Sequence, residues 1–270
     1  MASLVFLLAV LFLLYILAGY PLLLALLARV RGREFSKKFS PRPVSVLLPV
    51  RNGERWLEAK LRSILDLDYP RDLLEIWVIS DGSSDQTEAI AQQFAAQGVG
   101  LISISRGGKA AALNAGLRRA GGEILFFTDV RQQLDPAALR ELVACFGDPA
   151  VGAASGELFI RDGVRREEAD VGLYWRYEKW IRRRLSRIDS MLGATGCIYA
   201  MRRELAVELP EETLLDDVYL PLAAFFRAGS SLAFIRWAMP ASSFPTAVSP
   251  QNQRCSSGSP ASGRWAMRAS

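Results

Sequence analysis

The sequence predicts an α/β domain with a mostly parallel central sheet, tethered by an N-terminal membrane helix. Three observations predict it. Residues 4–28, LVFLLAVLFLLYILAGYPLLLALLA, carry no charge. From residue 44 onward, short apolar runs alternate with helically spaced apolar stripes. Three of those runs stop abruptly in polar residues, as strands do where an open sheet meets its ligand crevice.

The bulk properties narrow the chemistry. A chain of 270 residues accommodates one substantial domain plus a small appendage. A net charge of +5 suits either a nucleic-acid binder or a protein at an anionic membrane face. Cys145, Cys197 and Cys255 have neither disulfide-framework nor zinc-ligand spacing. Histidine is absent, which excludes His-based triads, His metal ligands and an imidazole base. Catalysis in this chain rests on carboxylates, a bound metal or backbone dipoles.

Taken in order, Leu4–Ala28 rises about 1.5 Å per residue and crosses about 30 Å of hydrocarbon. Gly19 and Pro21 are tolerated in such a helix, and the flanks lack the positive n-region of a cleaved leader. Arg29, Arg31, Arg33, Lys37 and Lys38 follow, so the positive-inside bias places everything beyond residue 29 in the cytosol of a single-pass protein at the cell membrane. Residues 1–29 are thus an anchor and 30–43 a basic linker closed by Pro41 and Pro43. VSVLLPV (44–50) is apolar enough for a strand covered on both faces. The 54–65 segment has an inward helical stripe of Trp56, Leu57, Leu61 and Ile64. A second strand (73–80) ends in DGSSD, a helix spans 87–96, and a third strand spans 99–105. Arg106 and Lys109 flank two glycines before a helix over 110–119. GEILFFT is a fourth strand, ending at Asp129, and a helix follows over 136–146.

Asn52 and Glu54, Asp81 and Asp85, and Asp129 therefore gather at one sheet edge. Neither GxGxxG nor GxxxxGK[ST] accompanies them, so a nucleotide is held another way. Each has a plain structural reading too. Asp81-Gly82-Ser83 suits an Asx turn, GGKAAALNAG a helix start, and Asp216–Asp217 one capping and one solvated acid.

Six segments in order change that balance: VSVLLPVRNGE (44–54), VISDGSSDQT (78–87), GGKAAALNAG (107–116), EILFFTDVR (123–131), GATGCIYAMRRE (193–204) and LLDDVYLPLAAFFRAG (214–229). Over about residues 42–235 the chain resembles membrane-anchored family 2 glycosyltransferases, inverting enzymes of the GT-A fold. The resemblance implies a GT-A domain over 44–237 and roles for particular residues. Pro49, Asn52, Glu54 and Asp81 would contact the uracil and ribose of a UDP-sugar, and Lys109 the nucleotide or its phosphates. Asp129 would hold Mn²⁺ or Mg²⁺ against the diphosphate, as first acid of a DxD element whose third position is here Arg131. Asp217 would be the general base, with Asp216 beside it in place of the usual glutamate, and Gly193, Thr195 and Gly196 would line the acceptor pocket. The residue types suit this chemistry. A hard cation ligated by carboxylate steadies a diphosphate leaving group, and without histidine an aspartate must deprotonate the acceptor.

The 174–192 segment mixes Trp175, Trp180, Ile181 and Leu185 with Arg176, Lys179 and Arg182–Arg184. It suits a helix on anionic lipid, nucleic acid or the domain itself. In a tethered chain the expected partners are membrane lipid, a UDP-sugar and a lipid or glycan acceptor, with no nucleic acid. After Asp217 no acid occurs, and residues 238–270 read as a low-complexity tail. The family's further strand, QxxRW helix and additional spans do not follow; QNQR (251–254) lacks the tryptophan. This pattern reads as truncation or a frame shift near residues 229–240, and its alternative function is an inactive, membrane-tethered nucleotide-binding protein.

Overall fold

Continuous apolar strands need cover on both faces, and the fold supplies it. The computed structural model describes residues 1–30, 32, 37–159, 177–178, 180–182, 184–188, 193–227, 234–237 and 246–248. Strands β1 (Val44–Val50), β2 (Leu74–Asp81), β3 (Val99–Ile104) and β4 (Ile124–Thr128) pair in parallel. With β6 (Val151–Ser155), β8 (Ile198–Arg202) and β9 (Phe234–Trp237) they form one sheet, ordered β3-β2-β1-β4-β8-β6-β9. Only β8 runs against its neighbours. A small second sheet joins β5 (Gln133–Leu134), β10 (Thr246–Val248) and β7 (Glu157–Phe159). This mixed but mostly parallel sheet is typical of the GT-A fold.

The two-residue alternation of a strand decides which core each side chain joins. Val44, Val46, Leu48 and Val50 pack on one face with α2 (Glu54–Leu65), α3 (Thr87–Gln93) and α5 (Ala138–Cys145). Leu47, Ile79, Phe127 and Tyr199 face the other way, toward α4 (Gly108–Arg119) and α6 (Asp216–Arg227). Pro49 pairs with Ile79 on β2 and lies past Leu47, where the pairing of β1 with β4 ends, near the strand end where a proline is tolerated.

The inward stripe of α2 differs from expectation. Its buried residues are Leu57, Lys60, Leu61 and Ile64, while Trp56 is only half-buried. Trp56 instead faces Arg131, whose guanidinium lies 5.0 Å from its ring centroid.

Helix α1 (Ala2–Val30), with a π turn at Tyr15–Gly19, is long and apolar enough to cross a membrane. Its first half buries nothing, whereas Pro21, Leu24 and Ala28 are covered. Tyr177, in the helical backbone described within 177–188, donates to the Ile16 carbonyl at 3.5 Å. Cys145 and Cys197 are buried. Arg31 and Arg33 of the linker, Trp175, Arg176, Lys179 and Arg183 of the 174–192 segment, Cys255, and the tail apart from β10 lie outside the described residues.

Candidate active site

The carboxyl edge of β1, β2 and β4 carries the expected acids, and the reversed strand β8 brings a further loop to them. Thr128 at the end of β4 pairs with Ile198 at the start of β8, so residues 193–197 arrive beside Asp129. The Thr195 amide donates to Ser155 Oγ at the end of β6 (2.8 Å). The Ala194 amide donates to the Asp217 carbonyl at the start of α6 (2.8 Å). One loop thus joins the end of β6 to the helix carrying both neighbouring aspartates.

Lys109, in the first turn of α4, connects the two sides. Its Nζ lies 3.3 Å from Asp129 Oδ1 and 2.9 Å from Asp216 Oδ1. Burial lowers the pKa of this ammonium, but Asp129 and Asp216 outweigh it and hold the value above that of an ordinary lysine. Asp216 is buried, and its second oxygen accepts from the Tyr199 hydroxyl at 3.2 Å. Tyr199 stacks on Phe127 with ring centroids 4.5 Å apart, and burial followed by the Asp216 charge keeps its phenol strongly protonated. Both carboxylate oxygens of Asp216 are therefore occupied, one by Lys109 and one by Tyr199.

Asp217 is different. Burial and then the charge of Asp216 push its carboxyl above the usual aspartate range, although Lys109 pulls it back. A Cβ on Gly196 would come within 2.8 Å of Asp217 Oδ2, so the absent side chain leaves that carboxylate room on the loop side. Gly193 plays a similar part, since a Cβ there would meet Val218 at 3.0 Å.

The remaining expected residues serve the edge's architecture. Asn52 has φ +49 and accepts from the Ser84 amide at 2.9 Å, while its own amide donates to Ser83 Oγ at 3.2 Å. Glu54 accepts from the Gln86 amide, and its amide donates to Asp85, each at 3.0 Å. These bonds lock the loop after β1 to the loop after β2. Buried Asp81 accepts from the Gly107 amide at 2.6 Å and from the Gly108 amide at 3.1 Å, capping α4 just before Lys109. Gly82 (φ +57) permits that approach, because a Cβ would lie 2.9 Å from the Arg106 amide nitrogen.

Sequence patterning missed Lys60. It is 1% exposed beneath the site, and its Nζ donates to Thr128 Oγ1 and the Gln132 carbonyl, both at 2.7 Å. A lysine between Leu57 and Ile64, in register with an apolar stripe, is the signal that marks it. Burial lowers its pKa to about 7. Cys197 is pushed up to about 12, first by burial and then by Asp129, so its thiol is no nucleophile at neutral pH.

Among the described residues no group of three or more His, Cys, Asp or Glu residues is arranged to hold a metal. The single half-exposed carboxylate of Asp129 still fits a hard cation that shares its shell with diphosphate oxygens and water.

Comparisons with known proteins agree with this geometry. The model of the family described as "Glycosyl transferase family 2" matches residues 45–209, more than half of the chain. The beta-monoglucosyldiacylglycerol synthase of Synechocystis sp. is 32% identical over 129 residues, covering 46% of this chain and 26% of that protein. That of Trichormus variabilis is 27% identical over 190 residues, covering 66% and 40%. The mannosyltransferase PcManGT from Pyrobaculum calidifontis, solved with GDP-Man and Mn²⁺, has a TM-score of 0.68 at 25% identity, covering 88% of this chain and 66% of that one. TarS from S. aureus, solved with UDP-GlcNAc, shares the fold at a TM-score of 0.57 and 18% identity, covering 80% of this chain and 61% of that one. The chain spans 26% and 40% of the length of the two synthases.

Proposed function

This chain belongs to glycosyl transferase family 2, and on that premise we propose that it transfers a sugar, with inversion, from a UDP-sugar to a hydroxyl of a lipid-linked, glycolipid or polysaccharide acceptor at the cytosolic membrane face. The observation that carries this reading is Lys109 bridging Asp129 and Asp216, with Asp217 beside them and Gly196 clearing its carboxylate. Relatives named as glucolipid synthases and the membrane-length helix support a lipid-linked acceptor.

Each residue then has a task. Pro49, Asn52, Glu54 and Asp81 form the wall for uracil and ribose, held by the bonds between the first two strand-end loops and by the Gly107 amide on Asp81. Lys109 and Asp129 face the diphosphate, where Asp129 would hold Mn²⁺ or Mg²⁺. Such an ion, when bound, neutralises the charge that develops on the leaving phosphate. Asp217 takes the proton from the acceptor hydroxyl, whose oxygen attacks the anomeric carbon opposite the leaving group. The carbon–oxygen bond to phosphate breaks, UDP departs with the electron pair, and Asp217 returns its proton to water. Asp216 keeps Lys109 in place, and residues 193–196 shape the acceptor side. A GDP-sugar is the second reading of the donor, favoured by the likeness to the GDP-Man complex.

A transfer assay on detergent-purified protein, supplied with UDP- and GDP-sugars and membrane lipids, tests this function with an Asp217→Asn variant. The variant is expected to lose about 10²–10⁴-fold in kcat while binding UDP like the wild type. Wild-type turnover in the variant would remove Asp217 from the mechanism. UDP binding without transfer by the wild type would favour the inactive, nucleotide-binding alternative.

A further inference from the structure

We propose that Lys60 is a positioning residue of the sugar-transfer site, pinning both sides of the Asp129 turn and tying that turn to the acceptor loop. The inference rests on the transferase reading of Asp129 and adds a residue to it. Lys60 projects from the middle of α2 into the sheet, 1% exposed, amid Leu57, Leu61 and Ile64. Its Nζ donates to Thr128 Oγ1, immediately before Asp129, and to the Gln132 carbonyl, three residues after it. Thr128 Oγ1 passes the constraint on, donating to the Cys197 carbonyl at 2.9 Å. Cys197 closes the loop that holds Gly193, Thr195 and Gly196.

One buried amine thus sets the separation between the donor acid and the loop that flanks Asp217. Nothing in the core requires a lysine at this point. An apolar side chain of similar length fills the same space and avoids the desolvation of a buried amine, at the cost of leaving the Gln132 carbonyl without this donor. A lysine kept there at the expense of desolvation serves geometry rather than stability. The two acceptors also match the two protons of an uncharged amine, so the role does not depend on carrying charge.

Lys60→Met removes the pins and keeps the volume. Three measurements on the full-length, detergent-purified protein separate the roles: thermal melting, backbone amide exchange, and UDP titration followed by steady-state kinetics. Lys60→Met is expected to stay folded and to melt within about 10 °C of the wild type, the relieved desolvation of the amine offsetting part of the lost hydrogen bonds. Its amides at 129–133 and 195–198 should exchange faster. Its donor affinity should fall about tenfold or more, with a smaller change in the acceptor KM. Thr128→Val should reproduce that split, and the double variant should be no worse than either single one. Wild-type exchange rates in those two segments of Lys60→Met would overturn the proposal. So would a Lys60→Met chain that fails to fold alongside a Thr128→Val chain that binds UDP normally. If folded wild-type protein binds no UDP, the transferase reading falls, and the exchange comparison alone still judges Lys60.

Discussion

At the scale of single residues, two adjacent aspartates are given different work by their partners. Asp216 is buried with Tyr199 on one oxygen and Lys109 on the other. Asp217 is raised by burial and by Asp216, with Lys109 pulling the other way. A general base acts only when deprotonated, so turnover falls as pH drops through the Asp217 pKa. The acid limb of the kcat profile should therefore lie above the ordinary aspartate value of about 4. Lys109→Met removes a positive charge that favours the carboxylate, so the limb should move to still higher pH; a pH–rate series on both proteins reads it. A limb that stays put would mean another group is titrating. Which aspartate would shift was not legible in the sequence, because like-charge repulsion acts on both neighbours equally. Asp217 rises through its own burial and through the charge of Asp216, and that burial depends on packing that brings distant segments together. Arg131 is a further case: it stands at the third position of the DxD element, and its guanidinium lies over Trp56, a contact that the sequence did not show.

At the scale of elements, the parallel β1–β4 core and the acids at its carboxyl edge were legible from alternating apolar runs that end in polar residues. The strand β8 was not, since an antiparallel strand inserted beside β4 leaves no mark on periodicity. It is this insertion that carries residues 193–197 to Asp129, with Ser155 as the fixed point that accepts from the Thr195 amide. Ser155→Ala leaves that amide without its partner, which should cost about 1–3 kcal/mol of stability in denaturant titration. The acceptor KM should rise while UDP affinity stays unchanged, because the donor residues stand at the carboxyl ends of β1, β2 and β4 and at the starts of α2 and α4. Equal weakening of donor and acceptor would show that the loop serves both substrates. Lys60 escaped the sequence because a stripe of leucine and isoleucine hides one lysine at the same helical spacing.

At the scale of the whole molecule, one sheet edge collects residues separated by more than a hundred positions, from Asn52 to Asp217, and a helix of membrane length precedes it. Apolar clusters cover the sheet on both faces. The central claim is that this edge binds a nucleoside diphosphate through Asp129. Titration calorimetry of the detergent-purified protein with UDP, with and without Mn²⁺, tests it most directly when repeated on Asp129→Ala. The account predicts saturable binding that Mn²⁺ tightens and that the variant weakens by about tenfold or more. Absence of UDP binding in folded wild-type protein, or equal Mn²⁺-enhanced binding by the variant, would contradict it.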